Sequence, residues 1–173
     1  MNFKRLIKYS FLILIPCLVQ ILLLKNIALF GVAFCFIYLL TILSLPTTIP
    51  QIPLLLTSFG IGLLIDIFYD TLGMHALAAT FLAFLRPFWL KIISPIGGYE
   101  DTTDPSISEM GIRWFLTYSL PLVFAFCLVF FLVNQWGTGE VVNILNKSFF
   151  STIFTVILAI IVQLLFFKRS RGI

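Results

Sequence analysis

Residues 57–80 read Thr57-Ser-Phe-Gly-Ile-Gly-Leu-Leu-Ile-Asp-Ile-Phe-Tyr-Asp-Thr-Leu-Gly-Met-His-Ala-Leu-Ala-Ala-Thr80. Two apolar stretches meet at a tight polar turn, Asp70 to Gly73, so they are expected to form an antiparallel helical hairpin. Ser58, Gly62 and Asp66 follow one another at i, i+4 and i+8, which places a small, polar stripe on one face of the first helix. His75, Ala79 and Ala83 do the same on the second, and Arg86 closes that stripe. Small residues let helices approach closely in lipid, where packing replaces the hydrophobic drive. The stripes are therefore expected to pack together, with Asp66 and His75 at the outer end of the seam. An ionisable group inside a membrane costs about 2.5–3.5 kcal/mol on insertion scales, and it marks a functional-site candidate. The pair has two readings: a hydrogen bond that fixes the turn, or part of a functional pocket. Asp70 reads as a turn residue or helix cap, and Gly73 as the residue that supplies positive φ. Arg86 lies eleven residues beyond His75, about 16 Å along a helix axis. It is expected to snorkel to the cytoplasmic interface beside Pro87, Trp89 and Lys91, away from Asp66.

The rest of the chain sets this hairpin in a membrane. Of 173 residues, 61% are hydrophobic and 10% charged, with a mean hydropathy of +1.13. Soluble domains carry about 25% charged residues, so this composition lacks the polar side chains to cover a water-exposed surface. A soluble enzyme, a nucleic-acid binder and a disordered scaffold are excluded. A membrane helix needs about 20 mainly apolar residues. Six candidate spans follow: Tyr9 to Leu24, Ile27 to Leu45, Ile52 to Tyr69, Leu72 to Leu90, Ile112 to Val133 and Ser148 to Phe167. The expected fold class is thus an all-α polytopic membrane protein, with residues 1–173 forming a single transmembrane domain.

Charge placement orients it. With the N-terminus inside, Lys4, Arg5, Lys8, Arg86, Lys91, Arg113, Lys168, Arg169 and Arg171 are cytoplasmic, and only Lys25 and Lys147 lie outside. That is a positive-inside bias, with both termini cytoplasmic. It accounts for the net charge of +4 without nucleic acid. The first apolar run ends in Leu-Leu-Leu-Lys with no small-residue cleavage site, so it reads as a retained helix rather than a signal peptide. The loop Lys91–Met110 gathers Glu100, Asp101, Asp104 and Glu109 and reads as a solvated connector or a docking loop. The run from Glu140 to Leu145 is expected to lie flat as a short interfacial helix.

Catalytic and metal motifs are absent from the sequence. Cys17, Cys35 and Cys127 sit singly in apolar spans, without the clustered ligands a zinc site needs, and read as packing residues. No nucleophile elbow, P-loop, HExxH or dinucleotide fingerprint occurs. No metal, cofactor or catalytic residue is expected.

The segment Phe59 to Ala78 resembles the signature of the rod-shape-determining MreD family: a glycine-containing helix ending near an Asp, a short turn with Gly, and a helix opening with His-Ala. Arg86-Pro87, Ser94-Pro-Ile-Gly-Gly-Tyr-Glu-Asp and Gly111-Ile-Arg-Trp-Phe resemble the version found in Bacteroidetes-type bacteria. The resemblance covers about residues 52–118. It implies a non-enzymatic component of the bacterial inner membrane. Such a protein binds MreC and, through it, acts with the MreB cytoskeleton and the peptidoglycan synthases in cell elongation. It also implies a fold similar to the six-helix substrate-binding subunits of energy-coupling-factor transporters, and hence an internal pocket. Gly62, Asp66, Gly73, His75 and Arg86 are the candidate motif, pocket or partner-binding residues. Two other functions compete. One is a transport subunit that binds a small molecule between its helices, against which stands the bulky, Ala-free run Leu12–Leu24. The other is an intramembrane enzyme using Asp66 and His75 as acid and base.

Overall fold

The computed structural model describes residues 14–25, 28–29, 31–95, 97–99, 104–137 and 140–166. The start of the first expected span, the terminal basic residues, Glu100, Asp101 and the end of the last span lie outside them. The chain is mostly helical. A short apolar helix α1 spans Leu14–Leu24, its last turn wound as a π-helix over Gln20–Leu24. Two short strands, β1 (Ala28–Leu29) and β2 (Ala33–Phe34), pair antiparallel. One turn of helix, α2 (Leu39–Leu43), follows, then α3 (Gln51–Tyr69) and α4 (Met74–Ile92). After the loop come α5 (Ile107–Met110), α6 (Ile112–Asn134) and α7 (Val141–Phe166). Three of these helices, α3, α6 and α7, are long and apolar enough to cross a membrane.

The expected hairpin is present. α3 and α4 each run 19 residues, about 28 Å, and pack along their whole length. α6 covers α4 on its other side and pairs with α7. Proline positions fit the helices. Pro53 falls in the first turn of α3, where a missing N–H costs nothing. Pro121 sits inside α6 and withholds the N–H that would bond the carbonyl of Thr117 four residues earlier. That carbonyl instead accepts the indole N–H of Trp89 at 3.0 Å.

Two expectations are corrected. The stretch from Ile27 to Leu45 is not a single helix. Where described, it is a hairpin turning at Gly31 (φ 69°), a run of turns and the five residues of α2. Every residue from Cys35 to Leu45 is buried. The segment runs beside α4, with Tyr38 at His75 and Leu43 to Pro46 at Arg86. Protein surrounds this non-helical backbone, and side chains from α1, α4, α6 and α7 bond its polar groups. The second correction concerns Glu140 to Leu145. From Val141 onward this run is the first part of α7, which continues through Asn146-Lys147-Ser148 into the longest helix of the bundle.

Candidate functional site

The hairpin turn is built around Asp66. α3 ends at Asp70, which adopts left-handed geometry (φ 56°) and donates its N–H to the carbonyl of Asp66. α4 begins after Gly73 (φ 85°), as the turn requires. Gly73 has no side chain with which to cap the new helix, so its first N–H groups would be orphaned. Asp66 supplies the cap from the preceding helix. Its Oδ1 accepts the N–H of His75 at 3.0 Å and the hydroxyl of Thr71 at 2.6 Å, and its Oδ2 accepts the N–H of Ala76 at 2.8 Å. Its carboxylate also faces the positive end of the α4 dipole. Asp66 and His75 therefore meet, but through backbone N–H groups rather than ring to carboxylate.

Gly62 permits that approach. A Cβ on Gly62 would stand 2.5 Å from Ala76 Cα and 2.7 Å from the carbonyl oxygen of His75. Ser58, Gly62 and Asp66 are all buried, as are His75, Ala79 and Ala83. Gly62 and Asp66 close on the His75–Ala76 backbone, while the His75 and Arg86 side chains of the α4 stripe reach the central segment and α6.

The His75 ring lies among aromatic side chains from the central segment, α3 and α6. It is fully buried, ringed by Phe36, Tyr38, Tyr69, Phe126 and Phe130 at centroid distances of 4.6–6.5 Å. Nδ1 shares a 3.0 Å hydrogen bond with the Tyr38 hydroxyl, while Nε2 has no partner among the described residues. His75 thus ties α4 to the irregular central segment.

Polar side chains from other elements hold the same segment. Gln20, buried at the π-turn of α1, donates from Nε2 to the carbonyl of Cys35 at 2.9 Å and to the Tyr69 hydroxyl at 2.7 Å. From α7, the Ser151 and Thr155 hydroxyls accept the N–H groups of Phe34 (2.9 Å) and Phe36 (3.1 Å).

Arg86 corrects the expectation drawn from its sequence position. It is 1% exposed and does not snorkel. Its Nε donates to the Tyr118 hydroxyl at 2.6 Å, and its guanidinium fork reaches the carbonyls of Leu43 (3.5 Å), Pro46 (3.3 Å) and Leu45. Tyr118 in turn donates to Leu43 at 2.9 Å. These carbonyls lie at and just beyond the C-terminal end of α2, the negative end of its dipole, which is where a buried cation is stabilised. The reason for the correction is geometric: the unwound segment brings free carbonyls to Arg86 within the protein, so the side chain need not reach water.

Sequence reading selected Gly62, Asp66, Gly73, His75 and Arg86. It passed over Gln20, Tyr38, Tyr118, Ser151 and Thr155. A signal for the α7 residues was available: Ser148, Thr152, Thr155, Ala159 and Gln163 recur at helical spacing and are all buried. Among the described residues no group of three metal-ligating side chains occurs, and Cys17, Cys35 and Cys127 are buried and free. Comparison of the chain with protein-family models, curated proteins and solved structures found no match.

Proposed function

We propose that this chain is a non-enzymatic membrane scaffold whose polar seam fixes the shape of a bundle that a partner protein recognises. One observation carries the proposal: the two charged motif side chains bond the chain's own backbone. Asp66 caps α4, and Arg86 binds the carbonyls of the central segment. An acid–base pair would instead need the Asp66 carboxylate and the His75 ring free to share a substrate, whereas the carboxylate is occupied by the N–H groups of His75 and Ala76 and the hydroxyl of Thr71. In this proposal the chain makes six passes with both termini cytoplasmic, the second pass being the broken stretch ending at Leu45.

The particular identification rests on the resemblance of residues 52–118 to MreD proteins. On that basis the chain works in the bacterial inner membrane as part of the cell-elongation complex. It binds an MreC-like membrane protein and acts through it with the MreB cytoskeleton and the peptidoglycan synthases. The likeness of its fold to energy-coupling-factor substrate-binding subunits belongs to the same proposal. The test is affinity purification after in-cell crosslinking. A single-span partner with a periplasmic coiled coil is the expected capture; reproducible capture of an ATPase-containing transport complex instead would overturn it.

A second reading, a transport subunit that binds a small molecule, is favoured by one detail. The unpartnered Nε2 of His75 lies in the middle of the bundle, where a ligand's acceptor would serve it. A metabolite that co-purifies stoichiometrically and is lost on His75→Phe substitution would support this reading over the scaffold.

A further inference from the structure

The five aromatic rings around the His75 imidazole are not equally enclosed. Phe36, Tyr38, Phe126 and Phe130 are at most 8% exposed. Tyr69 is only partly buried, and its ring centroid lies 5.3 Å from that of His75. It is the neighbour through which the aromatic cage meets the surface.

The last turn of α1 holds this residue in place. The Tyr69 hydroxyl accepts a hydrogen bond from Gln20 Nε2 at 2.7 Å and donates one to the Gln20 carbonyl at 3.0 Å. Lys25 donates from Nζ to the carbonyl of Phe68, and its ammonium stands 5.9 Å from the centre of the Tyr69 ring. The residues at the two ends of the π-turn therefore bear on the last two residues of α3.

Three features make this closure easy to release. Within the described residues of α1, the buried face is narrow, formed by Pro16, Cys17 and Gln20. The turn that carries Gln20 is a π-turn, a geometry that is rare in helices and recurs at functional sites. Gln20 is 1% exposed, and its Nε2 serves both Tyr69 and the carbonyl of Cys35, but its Oε1 has no partner among the described residues. A buried acceptor left unpaired is destabilising, so a movement of α1 that brings Oε1 to a donor offsets part of the bonding lost.

We infer that the last turn of α1 is a strap and Tyr69 a gate over His75. When the Gln20–Tyr69 bonds break, Tyr69 swings outward and the imidazole becomes reachable by a small polar molecule while the rest of the bundle stays folded. The gate governs access to His75, and it holds for the scaffold and the transport readings alike.

His75 is the only histidine in the chain, so its reaction with diethyl pyrocarbonate reports on the gate. An imidazole nitrogen takes the ethoxycarbonyl group, and ethanol and carbon dioxide are released. The rate at His75 is followed by peptide mass spectrometry on the full chain in detergent. Tyr69→Phe keeps the ring but removes both bonds to Gln20, and should raise the rate at least tenfold over the unaltered protein. Gln20→Leu leaves the backbone carbonyl at position 20 to hold the hydroxyl, and should give a smaller rise of at least threefold. Tyr118→Phe loosens the bundle at Arg86, eleven residues further along α4, and should stay within twofold of the unaltered protein. A Tyr69→Phe rate within twofold of the unaltered protein, or a rise in Tyr118→Phe equal to that of the gate variants, would overturn the inference. Should Tyr69→Phe not fold, Gln20→Leu measured against Tyr118→Phe still decides it.

Discussion

Asp66 and His75 meet across the α3–α4 turn through a carboxylate and a backbone N–H, 3.0 Å apart. The aspartate belongs to the helix that is ending and caps the helix that is beginning. Replacing Asp66 with Ala should therefore act as the loss of a buried cap, leaving two backbone donors unpaired. A destabilisation of about 3 kcal/mol is expected. Asp66→Asn retains one acceptor oxygen and should cost less, about 1–2 kcal/mol. Thermal unfolding of the purified protein in detergent gives the order; equal stability of all three proteins would remove the capping role.

The two glycines of α3 should respond in opposite ways. Gly62→Ala drives a Cβ into the backbone of α4 and should cost about 1–3 kcal/mol through overpacking. Gly60 faces open space, so Gly60→Ala should be neutral or stabilise by up to about 1 kcal/mol through helix propensity. Paired melting curves distinguish close packing from a general intolerance of substitution.

Arg86 and Tyr118 should behave as a unit. Arg86→Lys keeps the charge but loses the fork that reaches several acceptors, and a loss on the order of 3 kcal/mol is expected. Tyr118→Phe removes both an acceptor for Arg86 and a donor to Leu43. A double-mutant cycle should give a coupling of about 1–2 kcal/mol. Additive losses would mean that the two side chains hold the central segment independently.

The hairpin was legible in the sequence because its signals are local. Gly73, Asp70 and the i, i+4 stripes each act within a turn or two of helix, and their geometry follows from chain spacing alone. α6, likewise apolar and bounded by Gly111, kept its expected limits. The central segment was not legible. Cys35 to Leu45 is as apolar as a membrane helix, and nothing within it says that it will be unwound. What permits the irregular path lies elsewhere in the chain: Gln20, Arg86, Tyr118, Ser151 and Thr155 serve its backbone across sequence separations of 15 to 119 residues. Arg86 was misplaced for the same reason. Its partners are carbonyls at and beyond the C-terminal end of α2, some 40 residues earlier in the chain, and no local signal sets them beside α4.

His75 provides the sharpest contrast between structural and chemical roles. His75→Ala empties a site ringed by aromatics and should cost about 3–5 kcal/mol, as a large-to-small core change. His75→Phe fills the site but strands the Tyr38 hydroxyl. The double variant His75→Phe with Tyr38→Phe removes both polar groups and should recover most of the stability. As a scaffold, the double variant should also retain its partner in crosslinking purification. Loss of partner capture with stability intact would assign the imidazole a role beyond packing.

The most direct test of the scaffold proposal is controlled depletion of the protein in its own host, with cell width and length followed by microscopy. Depleted cells should lose rod shape, widening and rounding, and re-expression of the His75→Phe, Tyr38→Phe double variant should restore it. Cells that keep normal width and length after the protein is gone would contradict the proposal.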